Sequence, residues 1–133
     1  MTRPWPSAGE KPLHWVGSSH KDLLGFPEGV VGNIGYALGV LQFGARPPSA
    51  KPWKGLGPGV LEIVEDDEAG TYRAVCTVRF AKAMYVLHVF QKKSPSGIRT
   101  ARPDLRLIEA RLRLAREDYE VRYGGKEEDG RDG

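Results

Sequence analysis

Apolar residues change their period several times along this chain, and each change marks an element. Leu13-His-Trp-Val16 reads as a short strand. Ser18 or Ser19 then suits the cap of a short helix ending at Leu24. Pro27 suits the first turn of a second helix, in which Val31, Ile34, Leu38 and Leu41 recur at spacings of three and four. Gly32, Gly35 and Gly39 interrupt that helix at about 1 kcal/mol each relative to alanine. Their helical spacing predicts close approach of another backbone. Residues 44–59 contain four prolines and four glycines, so no regular element is expected there. Val60–Val64 is β-prone, and an acidic stretch at Glu65–Gly70 turns the chain. In Tyr72–Phe80, Tyr72, Ala74, Cys76 and Val78 alternate with Arg73, Val75, Thr77 and Arg79. A tight connection near Ala81–Ala83 leads into a third run, Met84–Gln91, so an antiparallel meander is expected. A last helix starts near Pro103 or Asp104, with Leu105, Ile108, Leu112, Ala115 and Tyr119 as its apolar stripe. Glu109–Arg113 and Arg113–Glu117 are expected surface pairs on it. The order β-α-α-β-β-β-α predicts one α+β domain with its sheet packed against helices.

Composition narrows the class. The 133 residues suffice for one domain with a modest core. No apolar run approaches the roughly 20 residues that span a bilayer, and the first residues lack the apolar segment of a signal peptide. A cytoplasmic protein with no membrane association is therefore expected. Cys76 is the single cysteine, which excludes an intrachain disulfide and a cysteine-rich metal site, and its apolar neighbours predict a buried inert thiol. The net charge of +3 hides an asymmetry. Lys92–Arg116 holds eight basic and two acidic residues, whereas Glu117–Gly133 holds seven acidic and three basic ones. A basic body with an acidic tail suits a polyanionic partner.

The richest stretch for chemistry is Thr71–Phe80 followed by Tyr85–Lys93. If the connection closes at residues 81–82, Cys76 faces Leu87, Val75 faces His88 and Arg73 faces Phe90, with Lys92 next on the same face. On this register Val75, Met84 and Val86 share a buried end, and Arg73, Phe90 and Lys92 mark an open one. The preceding loop adds Arg46, Lys51 and Lys54 without an acid. Cations beside an aromatic suit a phosphodiester next to a base. RNA cleavage needs little more, because the 2′-OH of the substrate is the nucleophile. It requires a base, cations for the phosphorane and an acid for the leaving 5′-oxygen. Lysines crowded by other cations can exchange that proton. The plain alternative is that Arg73 pairs with an acid such as Glu62 and the lysines are solvated. His88 has a suitable intrinsic pKa, yet its place between Leu87 and Val89 also fits a satisfied core histidine. No H-x-x-x-H, P-loop or G-x-S-x-G pattern occurs, so metal hydrolases, nucleotide hydrolases and serine esterases have no motif.

Taken together, Lys51-Pro-Trp-Lys-Gly-Leu-Gly57, Gly59-Val-Leu-Glu-Ile63, Thr71-Tyr-Arg-Ala-Val75 and Tyr85-Val-Leu-His-Val-Phe-Gln-Lys-Lys-Ser94 resemble the phage-derived, HigB-like branch of the RelE/ParE toxin superfamily. Trp15–Leu23 and Leu107–Leu112 fit the same pattern, so the resemblance covers roughly residues 12–123. It implies a small RelE-like fold and the toxin of a type II toxin–antitoxin pair. Such toxins cleave mRNA, usually on the translating ribosome, without metal or cofactor, and are held by an antitoxin with a helix-turn-helix DNA-binding domain. By resemblance, Arg73 stabilises the cleaved phosphate, Lys92 and Lys93 supply proton transfer or phosphate contacts, and Lys54 joins them from its loop. By the same resemblance Glu62 orients Arg73; the residue types themselves add His88 as a supporting candidate and Lys51, Arg46, Phe90 and Arg99 as candidate RNA contacts. Trp53 and Cys76 stand where the family commonly has a smaller aliphatic and an aromatic, and Pro103 is displaced from the family's Thr-Pro.

These expectations divide the chain into a disordered N-terminus (1–11), a toxin domain (12–123) and a disordered acidic tail (124–133). Two other classes stay open. A non-enzymatic toxin poisons DNA gyrase or another protein, as some superfamily members do; a plain RNA-binding module only holds phosphate.

Overall fold

The computed structural model describes residues 9–92 and 100–124. Its elements are β1 (Leu13–Trp15), α1 (Ser19–Leu24), α2 (Glu28–Gln42), β2 (Ala50–Pro52), β3 (Val60–Asp67), β4 (Gly70–Thr77), β5 (Met84–Lys92) and α3 (Arg102–Tyr123). The strands form one five-stranded sheet in the order β1-β5-β4-β3-β2. This is the expected α+β architecture with the expected antiparallel meander, β3-β4-β5, at its centre. The edge strand β1 runs parallel to β5, so the sheet is mixed. The expected disordered ends fall almost wholly outside the described residues.

The Pro/Gly-rich stretch expected to lack regular structure contains β2. Ala50 pairs with Ile63, Lys51 with Glu62 and Pro52 with Leu61. An edge strand tolerates proline because one side needs no ladder donor. Beyond it, the loop to β3 turns through Gly59 at φ +83°, where a Cβ would lie 2.9 Å from the Arg79 Cα.

Helices α1 and α2 cover one face of the sheet. Val30, Ile34, Ala37, Leu38 and Leu41 of α2 pack there with Leu61, Ile63, Tyr72, Ala74, Cys76, Met84, Val86 and Val89. Val30 takes the deep position expected of Val31, which is only partly buried. The predicted close approach at the α2 glycines does not occur, since a Cβ at Gly32, Gly35 or Gly39 would meet nothing within 4 Å.

Helix α3 covers the other face along β5. Ile108, Leu112, Ala115 and Tyr119 pack against Val60, Val75, Tyr85, Leu87 and Phe90, with Trp53 closing the core from the β2–β3 loop. Leu105, expected on this stripe, is 38% exposed, and Arg111 is buried in its place. The ion pair at i,i+4 spacing on α3 is Asp118–Arg122 rather than either pair expected around Arg113.

One irregularity decides which residues share a face. Val75 pairs with His88, but Cys76 pairs with Val86, so Leu87 is an extra residue on β5. This bulge overturns the expected Cys76–Leu87 pairing. It also puts Met84 and Val86 in the α2-side core and Tyr85 and Leu87 in the α3-side core. One inserted residue inverts the parity of every position beyond it.

Candidate functional site

Beyond the bulge the expected register holds. Arg73 pairs with Phe90, Thr71 with Lys92, and Val64 with Arg73. Alternation therefore places Lys51 (β2), Glu62 (β3), Arg73 (β4), and Phe90 and Lys92 (β5) on the α3 side of the sheet. Helix α3 packs mainly along β5 rather than over β2–β4.

Arg73 is the centre of the set. Its Nη1 donates to Glu62 Oε1 at 2.6 Å, with both side chains less than a fifth exposed. The plain pairing considered for Arg73 therefore exists, and it also gives Arg73 one fixed orientation. The rest of the guanidinium is not consumed. Nε is buried without a partner, while Nη2 is not buried and has no hydrogen-bond partner among the described residues. A planar fork with one terminal nitrogen held by a carboxylate and the other unused is suited to a phosphate oxygen.

Phe90 is nearly buried, so it backs the site rather than presenting an open ring. Its ring stacks on His88, with centroids 5.1 Å apart and 16° between planes. His88 is fixed from both ends. Its Nε2–H donates to Asp104 Oδ1 at 2.7 Å, and its Nδ1 lies 3.5 Å from Arg111 Nη1. Arg111 also donates to the Leu87 carbonyl (3.0 Å) and to Ser18 Oγ (3.1 Å). Arg111 thus clamps the bulge itself. A cation facing Nδ1 leaves that nitrogen as the acceptor and puts the ring hydrogen on Nε2. His88 behaves as the satisfied core histidine considered above, with no ring nitrogen aimed at Arg73.

The other sequence candidates divide. Lys51 is exposed and sits opposite Glu62, close to Arg73. Lys92 is half-buried at the end of β5, one same-face step beyond Phe90. Lys54 is not brought to Arg73. It follows Trp53, whose N–H binds the Val60 carbonyl, and Val60 lies four residues along β3 from Val64, about 13 Å at strand rise. Lys54 instead lines a notch of about 100 Å³ with Trp53, Gly55, Leu56, Leu105 and Glu109. Arg46 is exposed in the α2–β2 connection, outside the strands that carry the cluster. Lys93 and Arg99 lie outside the described residues.

Cys76 is fully buried, and burial pushes its thiol up to about 12, which removes it as a nucleophile. Among the described residues no three His, Cys, Asp or Glu gather so as to hold a metal ion, and no helix is long and apolar enough to cross a membrane.

The sequence contained signals for three supporting residues that its patterns did not single out. Arg111 stands three residues after Ile108 and four before Ala115, a charge on the buried face of α3. Asp104 opens that helix within reach of His88. Arg79 is buried and donates from Nε to the Pro58 carbonyl at 3.0 Å and from Nη2 to the Leu56 carbonyl, bracing the loop that carries Lys54.

Residues 21–113 match the family model described as phage-derived protein Gp49-like (DUF891). The chain belongs to the Gp49-like family. The match spans most of the protein and includes every candidate residue above. This family of phage-derived proteins is associated with toxin–antitoxin systems, and the Gp49-like chain is consistent with the toxin partner. No curated protein and no solved structure matches it.

Proposed function

We propose that this Gp49-like protein is the toxin of a type II toxin–antitoxin pair and acts as a metal-independent mRNA endoribonuclease of the HigB/RelE type, on the translating ribosome. The observation that carries this reading is the geometry of Arg73: Glu62 holds one terminal nitrogen at 2.6 Å, and the other has no hydrogen-bond partner among the described residues.

In the proposed reaction a 2′-OH of the RNA attacks the adjacent phosphorus and the bond to the 5′-oxygen breaks. The products are a 2′,3′-cyclic phosphate and a 5′-hydroxyl end. Arg73 Nη2 binds a non-bridging oxygen as negative charge grows on the phosphorane. Lys92 and Lys93 hold the phosphate or exchange the proton, and Lys51 binds the neighbouring backbone. A cognate antitoxin, with a helix-turn-helix domain of its own, blocks this surface.

Induction of the wild-type and Arg73→Ala proteins in a bacterial host, with transcript 5′ ends mapped, tests the reading. New 5′-hydroxyl ends inside open reading frames are expected with the wild type alone. Growth arrest with intact transcripts would reject it and favour a protein target such as gyrase.

A further inference from the structure

A second cluster of polar side chains lies at the opposite end of α3. Fourteen residues separate Asp104 from Asp118, about 21 Å along the helix axis. There α3 and the edge strand β1 enclose a cleft of about 330 Å³, lined by His14, Val16, Tyr85, Leu114, Asp118 and Arg122 among others. None of these residues takes part in the Arg73 site.

The cleft has a defined internal order. His14 pairs with Tyr85 across the β1–β5 ladder, and their rings lie 5.1 Å apart. His14 Nε2 is 2.7 Å from the Tyr123 hydroxyl, which fixes the plane of the imidazole. Burial, followed by the charge of Arg122, lowers the His14 pKa against an opposing pull from Asp118. On the other side, Asp118 Oδ2 accepts from the Tyr85 hydroxyl (2.7 Å) and from Arg122 Nε (2.7 Å). Both known bonds fall on one carboxylate oxygen. Asp118 Oδ1 and the two terminal nitrogens of Arg122 have no hydrogen-bond partner among the described residues. Leu114, 52% exposed, supplies an apolar wall.

Such a cleft presents a fixed aromatic ring, an apolar wall, and a free donor adjacent to a free acceptor. A bare phosphate would use the arginine but would be repelled by Asp118. An aliphatic ligand would cover the cleft without pairing either polar group. A planar ring whose edge carries an acceptor beside a donor satisfies all of them, and every nucleobase presents such an edge. We infer that the cleft between β1 and α3 is a nucleobase-binding pocket, in which His14 and Leu114 hold the ring and Asp118 with Arg122 pairs its edge. The pocket deepens the RNA-directed reading by giving the protein a second contact, remote from the Arg73 site, for an unpaired base. Its test involves no cleavage, so either reading can fail alone.

The test is titration of the isotopically labelled full chain with each of the four nucleoside 5′-monophosphates, followed by amide NMR shifts, with ribose 5-phosphate as control. Saturable shifts at His14, Leu114 and Arg122 with nucleotides, absent with ribose 5-phosphate, are the expected result. Arg122→Gln, at a half-exposed position with little effect on folding, should weaken binding at least fivefold. Gly32→Ala, on the exposed side of α2 across the sheet from the cleft, should leave it unchanged. Equal shifts with ribose 5-phosphate would mean phosphate binding only and overturn the proposal. No shift at the cleft, or unaltered affinity in Arg122→Gln, would also overturn it. A cleft silent to nucleotides but perturbed by the cognate antitoxin would overturn it and make the cleft a protein-docking site.

Discussion

Arg73 Nη1 donates to Glu62 Oε1 at 2.6 Å across the β3–β4 ladder, and this bond sets the direction of the guanidinium. Glu62 does not face Arg73 directly, since it pairs with Val75 while Arg73 pairs with Val64. The diagonal bond leaves Nη2 with no hydrogen-bond partner among the described residues. If Glu62 acts by aiming Arg73, Glu62→Gln retains an acceptor and lowers RNA cleavage modestly, whereas Arg73→Ala lowers it by about 10²–10³. Both variants should fold but melt below the wild type, because losing one partner of a mostly buried pair costs about 1–3 kcal/mol. Parallel cleavage assays and thermal melts check this. An Arg73→Ala protein that folds and cleaves at the wild-type rate would end the assignment.

His88 Nε2–H and Asp104 Oδ1 connect the start of α3 to β5 at 2.7 Å. Removing the carboxylate leaves a nearly buried donor unpaired, a cost of about 1–3 kcal/mol. Asp104→Ala should therefore lower the urea midpoint, and it should also loosen Phe90, which stacks on His88. Denaturant melts of Asp104→Ala and Asp104→Asn separate loss of the hydrogen bond from loss of charge. The asparagine variant should recover most of the stability.

The Cys76 thiol, raised by burial to about 12 from its usual value near 9, keeps its proton in the folded protein over a range where the unfolded chain gives it up. The folded state binds more protons there, so its stability falls as pH rises. The full contribution is present below pH 9 and is lost between about pH 9 and 12, at up to about 1.4 kcal/mol per pH unit. Stability measured against pH should decline less steeply in Cys76→Ala than in the wild type over that window. A thiol reagent at pH 8 should modify Cys76 only on unfolding.

Gly32 and Gly35 lie on the exposed side of α2 with open space where a Cβ would stand. Gly32→Ala and Gly35→Ala should each stabilise the protein by about 1 kcal/mol, the helix-propensity difference. Gly59 is the contrasting case. Its φ of +83° and the 2.9 Å approach of Arg79 Cα make Gly59→Ala destabilising and should disorder the loop carrying Trp53 and Lys54. Thermal melts of the three single variants check the opposite signs.

The periodic segments were legible without coordinates. Ile34, Leu38 and Leu41 on α2, Ile108, Leu112, Ala115 and Tyr119 on α3, and the alternation in β4 all occupy the faces their spacing indicates. Local periodicity is a property of neighbours in the chain, so sequence alone carries it. The facing of Arg73 and Phe90 followed from the same alternation. The bulge at Leu87 did not, because an inserted residue leaves no mark in a run that is apolar on both faces. Arg111, reaching from α3, holds the Leu87 carbonyl there. The pairing of β2, the bracing of its loop by Arg79 and the meeting of His14 with Asp118 and Arg122 are likewise products of packing. Residue pattern by itself determined which segments form elements, which of their faces are buried, and that Arg73 lies on one face with Phe90 and Lys92. Tertiary structure alone decided which cations converge and which remain apart, because a side chain's partners depend on how distant elements cross, and no local period encodes that.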